Sequence, residues 1–137
     1  MTLITITLGG HALVARLEEA LAPKTCALFR SLLPYEDQMI HTRWSGEGCW
    51  IPMGAKAYDL PWENHTSHPR PGQFIFYPGG ISETEILLAY GEVCFSSRHG
   101  QLSGNHFLTV VEGVEQLADL GQAALWRGAQ TIRFSTA

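Results

Sequence analysis

The stretch "TLITITLGGHALVARL", residues 2–17, decides the fold class. Two alternating apolar runs flank two adjacent glycines, Gly9 and Gly10. Glycine reaches positive φ without a Cβ penalty, so a two-residue primed turn can reverse the chain between two strands. Successive strand side chains point to opposite faces, which puts Ile4, Ile6 and Leu8 on the expected core side and Leu3, Thr5 and Thr7 on the other. In the return strand Ala12, Val14 and Arg16 alternate with Leu13, Ala15 and Leu17.

Working outward, Pro23 suits the first turn of a helix, where no intrahelical N–H is lost. Cys26, Phe29, Leu32 and Leu33 then recur at helical spacing, and Pro34 ends the run because the residue before proline avoids the α region. "MIHTRW" (39–44) reads as a strand with His41 and Arg43 on one face and Ile40, Thr42 and Trp44 on the other. Residues 45–70 read as long loops with one short strand near Cys49 to Ile51. Loops of that length in a compact domain are often functional. A strand is expected over Gln73–Tyr77, and "ETEILLAYG" (83–91) reads as a strand covered on both sides. "HFLTVV" (106–111) is a further strand, and Val114, Leu117, Ala118, Ala124 and Leu125 give a helix stopped at Gly128. "TIRF" (131–134) closes the chain. The order suits a mainly β fold, a closed β-barrel capped by two helices, as one domain over residues 1–137. Periodicity alone leaves an open α+β sheet as the alternative.

Composition bounds the function classes. With 137 residues, 45% hydrophobic and 16% charged, the chain has the make-up of a globular domain. A net charge of −4 with scattered basic residues offers no stripe to neutralise phosphates, so nucleic acid is not an expected partner. No apolar run has the length of a bilayer-spanning helix. Cys26, Cys49 and Cys94 are odd in number and share no short spacing, which fits a reducing cytoplasm better than a disulfide framework.

Several segments, in order, resemble the cyclophilins. "PKTCALFRSL" (23–32) is similar to their first-helix motif, and "IHTR" (40–43) to their strand with His beside Arg, though Thr42 intervenes here. "ENHTSHPRPG" (63–72) resembles their Glu-Asn, His and Pro-Gly loop. "LSGNHF" (102–107) is similar to their Gly-Lys-His segment, with Asn105 in place of lysine, and "VVEGVEQLADLG" with "TIRF" resembles their last helix and strand. More closely, the chain resembles a group of uncharacterised bacterial proteins with a cyclophilin-like fold. That resemblance implies a cyclophilin-like barrel and no particular activity. The proline-binding features are largely missing. Arg43 is the best match for the catalytic arginine, but no Gln-Gly-Gly follows, Glu85 stands where a glutamine is expected, and Leu87 where a pocket phenylalanine is expected.

The candidate site follows from those departures. Arg43 offers a planar fork suited to a carboxylate or carbonyl oxygen, and Glu85 can act as a base if burial raises its pKa. The plain alternative is that they pair with each other. His106 titrates near neutrality and, by the resemblance, lines the pocket as a third candidate catalytic group. Tyr77, Leu87 and Asn105 are the expected ligand-binding residues. His65 and His68 lack a third metal ligand at fixed spacing, so no metal is expected, and no motif asks for a cofactor. "SSRHG" (96–100) holds hydroxyls beside His99 but no identifiable acid partner. The leading expectation is a small-molecule binding protein or enzyme for a polar metabolite, such as an amide or carboxylate. A peptidyl-prolyl isomerase and a non-catalytic oligomeric module are the alternatives. A homo-oligomer is expected, with Trp50 and Trp62 at its interface.

Overall fold

The computed structural model describes all of residues 1–137. The opening hairpin pairs β1 (Leu3–Leu8) with β2 (His11–Leu17) across Gly9 and Gly10, whose φ values are 55° and 85°. Helix α1 (Pro23–Leu32) and strands β3 (Tyr35–His41), β4 (Gly46–Pro52) and β5 (His65–Thr66) follow. Next come β6 (Gln73–Tyr77), β7 (Glu85–Val93), the small hairpin β8 (Ser96–Ser97) and β9 (Gly100–Gln101), and β10 (Gly104–Glu112). A 3-10 turn leads into α2 (Leu117–Arg127), and β11 (Gln130–Thr136) is last. The sheet runs β2-β1-β11-β3-β4-β7-β6-β10, and β10 pairs back to β2, closing an eight-stranded antiparallel barrel. Short β5 adds to β10 outside that circuit.

Alternation fills the barrel as the opening stretch requires: Ile4, Ile6 and Leu8 from β1 and Leu13, Ala15 and Leu17 from β2 are buried in one core. Helix α1 contributes Phe29, whose ring lies 5.0 Å from Phe107 and 5.1 Å from Phe134. Such edge-on and tilted pairs at this spacing match the aromatic quadrupole. Leu33 is extended (φ −74°, ψ 145°), ending α1 before Pro34. Helix α2 turns Leu117, Leu120 and Ala124 into the same core and stops at Gly128, at φ 94°. Neither helix is long and apolar enough to cross a membrane.

The strand expected over residues 39–44 needs correction. It lies earlier, at Tyr35–His41, and Thr42–Ser45 form a turn in which Ser45 N–H donates to Thr42 O (2.9 Å) and Gly46 N–H to Arg43 O (3.1 Å). Pairing with β11, from Phe134 opposite Tyr35 to Gln130 opposite Met39, draws the polar run Glu36–Gln38 into the sheet. Within residues 45–70, the short strand near Cys49 extends to the whole of β4, and β5 is added.

A second apolar cluster lies on the outer face of the barrel. Ile75, Tyr77, Leu87 and Ala89 are buried there beneath Phe95 and Leu102, so β6 and β7 are covered on both sides. The covering segment is held by Phe95 N–H donating to Ser67 O (2.7 Å) and Leu102 N–H to Phe95 O (2.9 Å).

Elsewhere close packing fixes residue size. A Cβ added at Gly121 of α2 would run into the Tyr90 ring. Gly121→Ala is therefore expected to cost about 1–3 kcal/mol despite alanine's better helix propensity, because overpacking outweighs it. A urea midpoint equal to or above wild type would show that the helix shifts freely.

Candidate functional site

The covering segment stops short of the first residue of β7, and there a cleft of about 710 Å³ opens, lined by Trp44, Trp50, Ser82, Glu85, Arg98 and His99 among others. Distant segments are pinned together to form it. The Ser45 hydroxyl accepts the Ser96 N–H (3.0 Å) and donates to Ser96 O (3.2 Å), and Cys94 N–H donates to Ser45 O (2.9 Å). These bonds fasten the β8–β9 hairpin, with Arg98 and His99 at its tip, to the turn that carries Trp44.

Glu85 is the chemically distinctive group. Its residue is 5% exposed, yet its carboxyl accepts no hydrogen bond and meets no cation within the chain. Burial, and secondarily the charge of Glu83, push it up to about 8. Desolvation disfavours the charged form, so the carboxyl is mainly protonated at neutral pH. In the same cleft, the Trp44 and Trp50 rings meet edge to face with centroids 5.8 Å apart. The Trp50 indole N–H is buried without an acceptor. Arg98 lines the cleft and makes no ion pair.

A second cavity of about 600 Å³, reached by Trp62, Tyr77 and Leu102, shares Ile81 with the first. The wall between them is the loop after β6. The Tyr77 hydroxyl holds it by accepting the Ile81 N–H (3.0 Å) and Ser82 N–H (3.3 Å), while its ring packs 5.8 Å from Phe95. Tyr77 thus shapes both cavities from beneath.

The other expected site residues are placed differently. Arg43 is exposed in the Thr42–Ser45 turn. Gly46 at that end of β4 pairs with Val93, whereas Glu85 pairs with Pro52 at the other end, so Arg43 and Glu85 sit at opposite ends of the β4–β7 ladder and do not pair. Arg43 instead acts on the partly buried His41, lowering its pKa secondarily to burial. Leu87 is fully buried in the outer cluster and lines neither cavity, because Phe95 and Leu102 occupy the space above it.

Asn105 borders the second cavity, but its polar atoms are taken. Its Oδ1 accepts the Glu63 N–H (3.1 Å), and its Nδ2 donates to Thr25 Oγ1 (3.0 Å) and Pro61 O (2.9 Å). Glu63 in turn accepts the Thr25 N–H through Oε1 (2.5 Å), capping the first turn of α1 from a distant loop. His106 lines neither cavity and faces a relay on the barrel surface. Asn64 Nδ2 donates to His106 Nδ1 (3.3 Å), which leaves Nε2–H to donate to Thr109 Oγ1 (2.7 Å). The Thr109 hydroxyl then donates to Glu18 Oε2 (2.6 Å). Burial lowers the His106 pKa against the opposing pull of Glu18, so the neutral imidazole is held in one tautomer.

His65 packs against Trp62 with ring centroids 4.9 Å apart, and no three His, Cys, Asp or Glu side chains converge. The Cys26 and Cys49 thiols are buried and pushed up to about 12, so neither is a nucleophile near neutrality. Sequence reasoning misses Arg98 and His99 as cleft residues. The available signal is the "SSRHG" stretch, and only the Ser45–Ser96 contact, 51 residues apart, brings it to Glu85's cleft.

Solved structures share this architecture. The chain is similar to McbB, solved in complex with tryptophan, with a TM-score of 0.74 and 19% identity over 96% of this chain and 44% of that one. It thus spans under half the length of McbB. It is also similar to the hypothetical protein AF2241 from Archaeoglobus fulgidus, with a TM-score of 0.65 and 14% identity over 99% of this chain and 95% of that one. At these identities the likeness is one of fold. No curated protein matches the sequence. Residues 4–136 match one family model nearly end to end, and the chain belongs to that family, described as a protein of unknown function (DUF3830).

Proposed function

We propose that this chain binds a small polar molecule in the Trp44–Glu85–Arg98 cleft, on the outer face of a cyclophilin-like barrel, in a reducing cytoplasm. The observation that carries the reading is Glu85, a residue only 5% exposed whose carboxyl has no partner within the chain and lines a ligand-sized cavity. Groups buried without partners are costly, and a site that receives a ligand is one reason for such a group to persist. If the ligand reacts, Glu85 is the acid or base, protonated near neutrality and therefore able to give up or take a proton at little cost. That a fold neighbour has been solved with tryptophan supports a small-molecule role for this architecture.

The isomerase alternative has less support, since Leu87 is covered and Arg43 lies at the far end of the ladder from Glu85. Self-association is favoured by one observation, the exposure of Trp62 and Trp126. A strict monomer by light scattering would remove it.

Thermal-shift titration with small carboxylates, amines, amides and prolyl peptides tests the cleft directly. A ligand at a hundred times its dissociation constant adds about 2.7 kcal/mol to the native state. The expected result is a shift in wild type that is absent in Ser82→Trp, which fills the cleft. No shift from any compound, or equal shifts in both proteins, overturns the reading.

A further inference from the structure

We infer that the ligand of this cleft is an amine-bearing molecule with an aromatic or apolar body, its ammonium seated on Glu85 and its body against Trp44 and Trp50. The inference rests on the cleft reading above and names the ligand class. Glu85 has no donor of its own in the fold, so its oxygens are open to a donor brought from outside. A second carboxylate, Glu83, lines the same cleft and adds negative potential where a cation would sit. Tryptophan faces attract cations most strongly among side chains, and Trp44 and Trp50, packed edge to face, both line the cleft and give it an aromatic wall for an apolar body. A metal ion is the poorer occupant, because no three ligating side chains gather there.

Proton balance follows from the chemistry. In the free protein the Glu85 carboxyl holds its proton near neutrality, for burial keeps it up at about 8. When an ammonium binds, its charge compensates the carboxylate, the O–H bond of Glu85 breaks, and the proton leaves to buffer. The ammonium keeps all its own protons. The other charged or titratable groups around the cleft are Glu83 on the preceding loop, which acts on this carboxyl, Arg98 and His99 at the hairpin tip, and Tyr77, which stands opposite Glu85 on the paired strand.

Isothermal titration with phenethylamine, 2-phenylethanol and 3-phenylpropionate tests this, since the three share a ring and differ at the head group. Phenethylamine is expected to bind at least about tenfold more tightly than the other two, which corresponds to about 1.4 kcal/mol. Repeating the titration in buffers of different ionisation enthalpy is expected to show close to one proton released near neutral pH. Glu85→Gln should abolish both the tenfold preference and the proton release. If the alcohol or the acid binds as tightly as the amine, or if the amine binds without proton release, the amine assignment fails and the cleft stands. If none of the three binds while another compound shifts wild type but not Ser82→Trp, the amine assignment again fails alone. If nothing binds at all, both fall.

Discussion

Glu85→Gln should make this protein more stable at alkaline pH and leave it nearly unchanged in acid. The folded-state pKa of Glu85 is raised from the usual 4.5 to about 8, so between those values the native state holds a proton that the unfolded chain has released. Stability is then greatest below the unfolded value, declines as pH rises through the window, and levels off above the folded value. A tenfold difference in proton affinity between the two states corresponds to about 1.4 kcal/mol, which sets the loss at up to about 5 kcal/mol by about pH 9. Glutamine is close in shape and carries no charge, so it escapes the loss. The variant's thermal midpoint should exceed wild type by on the order of 10 °C at about pH 9, converging at about pH 4. Parallel midpoint curves across that range would mean that the carboxylate is solvated or paired, and the chemistry assigned to the cleft would go with it.

The second large effect is expected at Asn105, far from any chemistry. Its amide joins three pieces that are remote in sequence: α1 through Thr25, the loop before β5 through Pro61 and Glu63, and β10 itself. Asn105→Leu keeps roughly the volume and removes every one of these bonds, leaving the Glu63 N–H, the Pro61 carbonyl and the Thr25 hydroxyl without this partner. Thr25 is fully buried, and a hydroxyl stranded there costs about 1–3 kcal/mol, whereas Glu63 is half-buried and Pro61 exposed, so their groups turn to water more cheaply; a total loss of about 3 kcal/mol is expected in denaturant unfolding. Asn105→Asp should be intermediate, because the acceptor survives and both donor contacts are lost. A loss below about 1 kcal/mol for the leucine variant would show that water replaces the network.

These two residues show what a sequence does and does not disclose. The hairpin at Gly9-Gly10, helix α1 between two prolines, β6 and the Gly128 stop are readable because each is decided by neighbours within a few residues. The true bounds of β3 escape such a reading because Glu36, Asp37 and Gln38 have no strand signature of their own and are held by β11, about a hundred residues away. Glu85 stands out as a carboxylate on an apolar strand, whereas its position relative to Arg43 is invisible in the sequence. Arg43 reads as a strand residue, but the chain turns there and carries it to the other end of the ladder. Asn105 and His106 draw attention by their place at the start of a strand. Their partners Glu63, Asn64, Thr109 and Glu18 come from three different segments, and only the fold makes plain that these polar groups are occupied with one another.

The place of β11 between β1 and β3 has a consequence for biosynthesis. It is the last of these strands to leave the ribosome, and it fills the gap between two that emerge early. Until it inserts, both β1 and β3 present unpaired backbone along one side, and the barrel is an open, curled sheet. Such edges recruit any extended segment nearby. Late, long-range closure is also slow for topological reasons. The polar outward residues of β3, Glu36 and Gln38 among them, guard one of those waiting edges against a stranger. The same residues that hide the strand from recognition thus protect the nascent chain while its seam is still open.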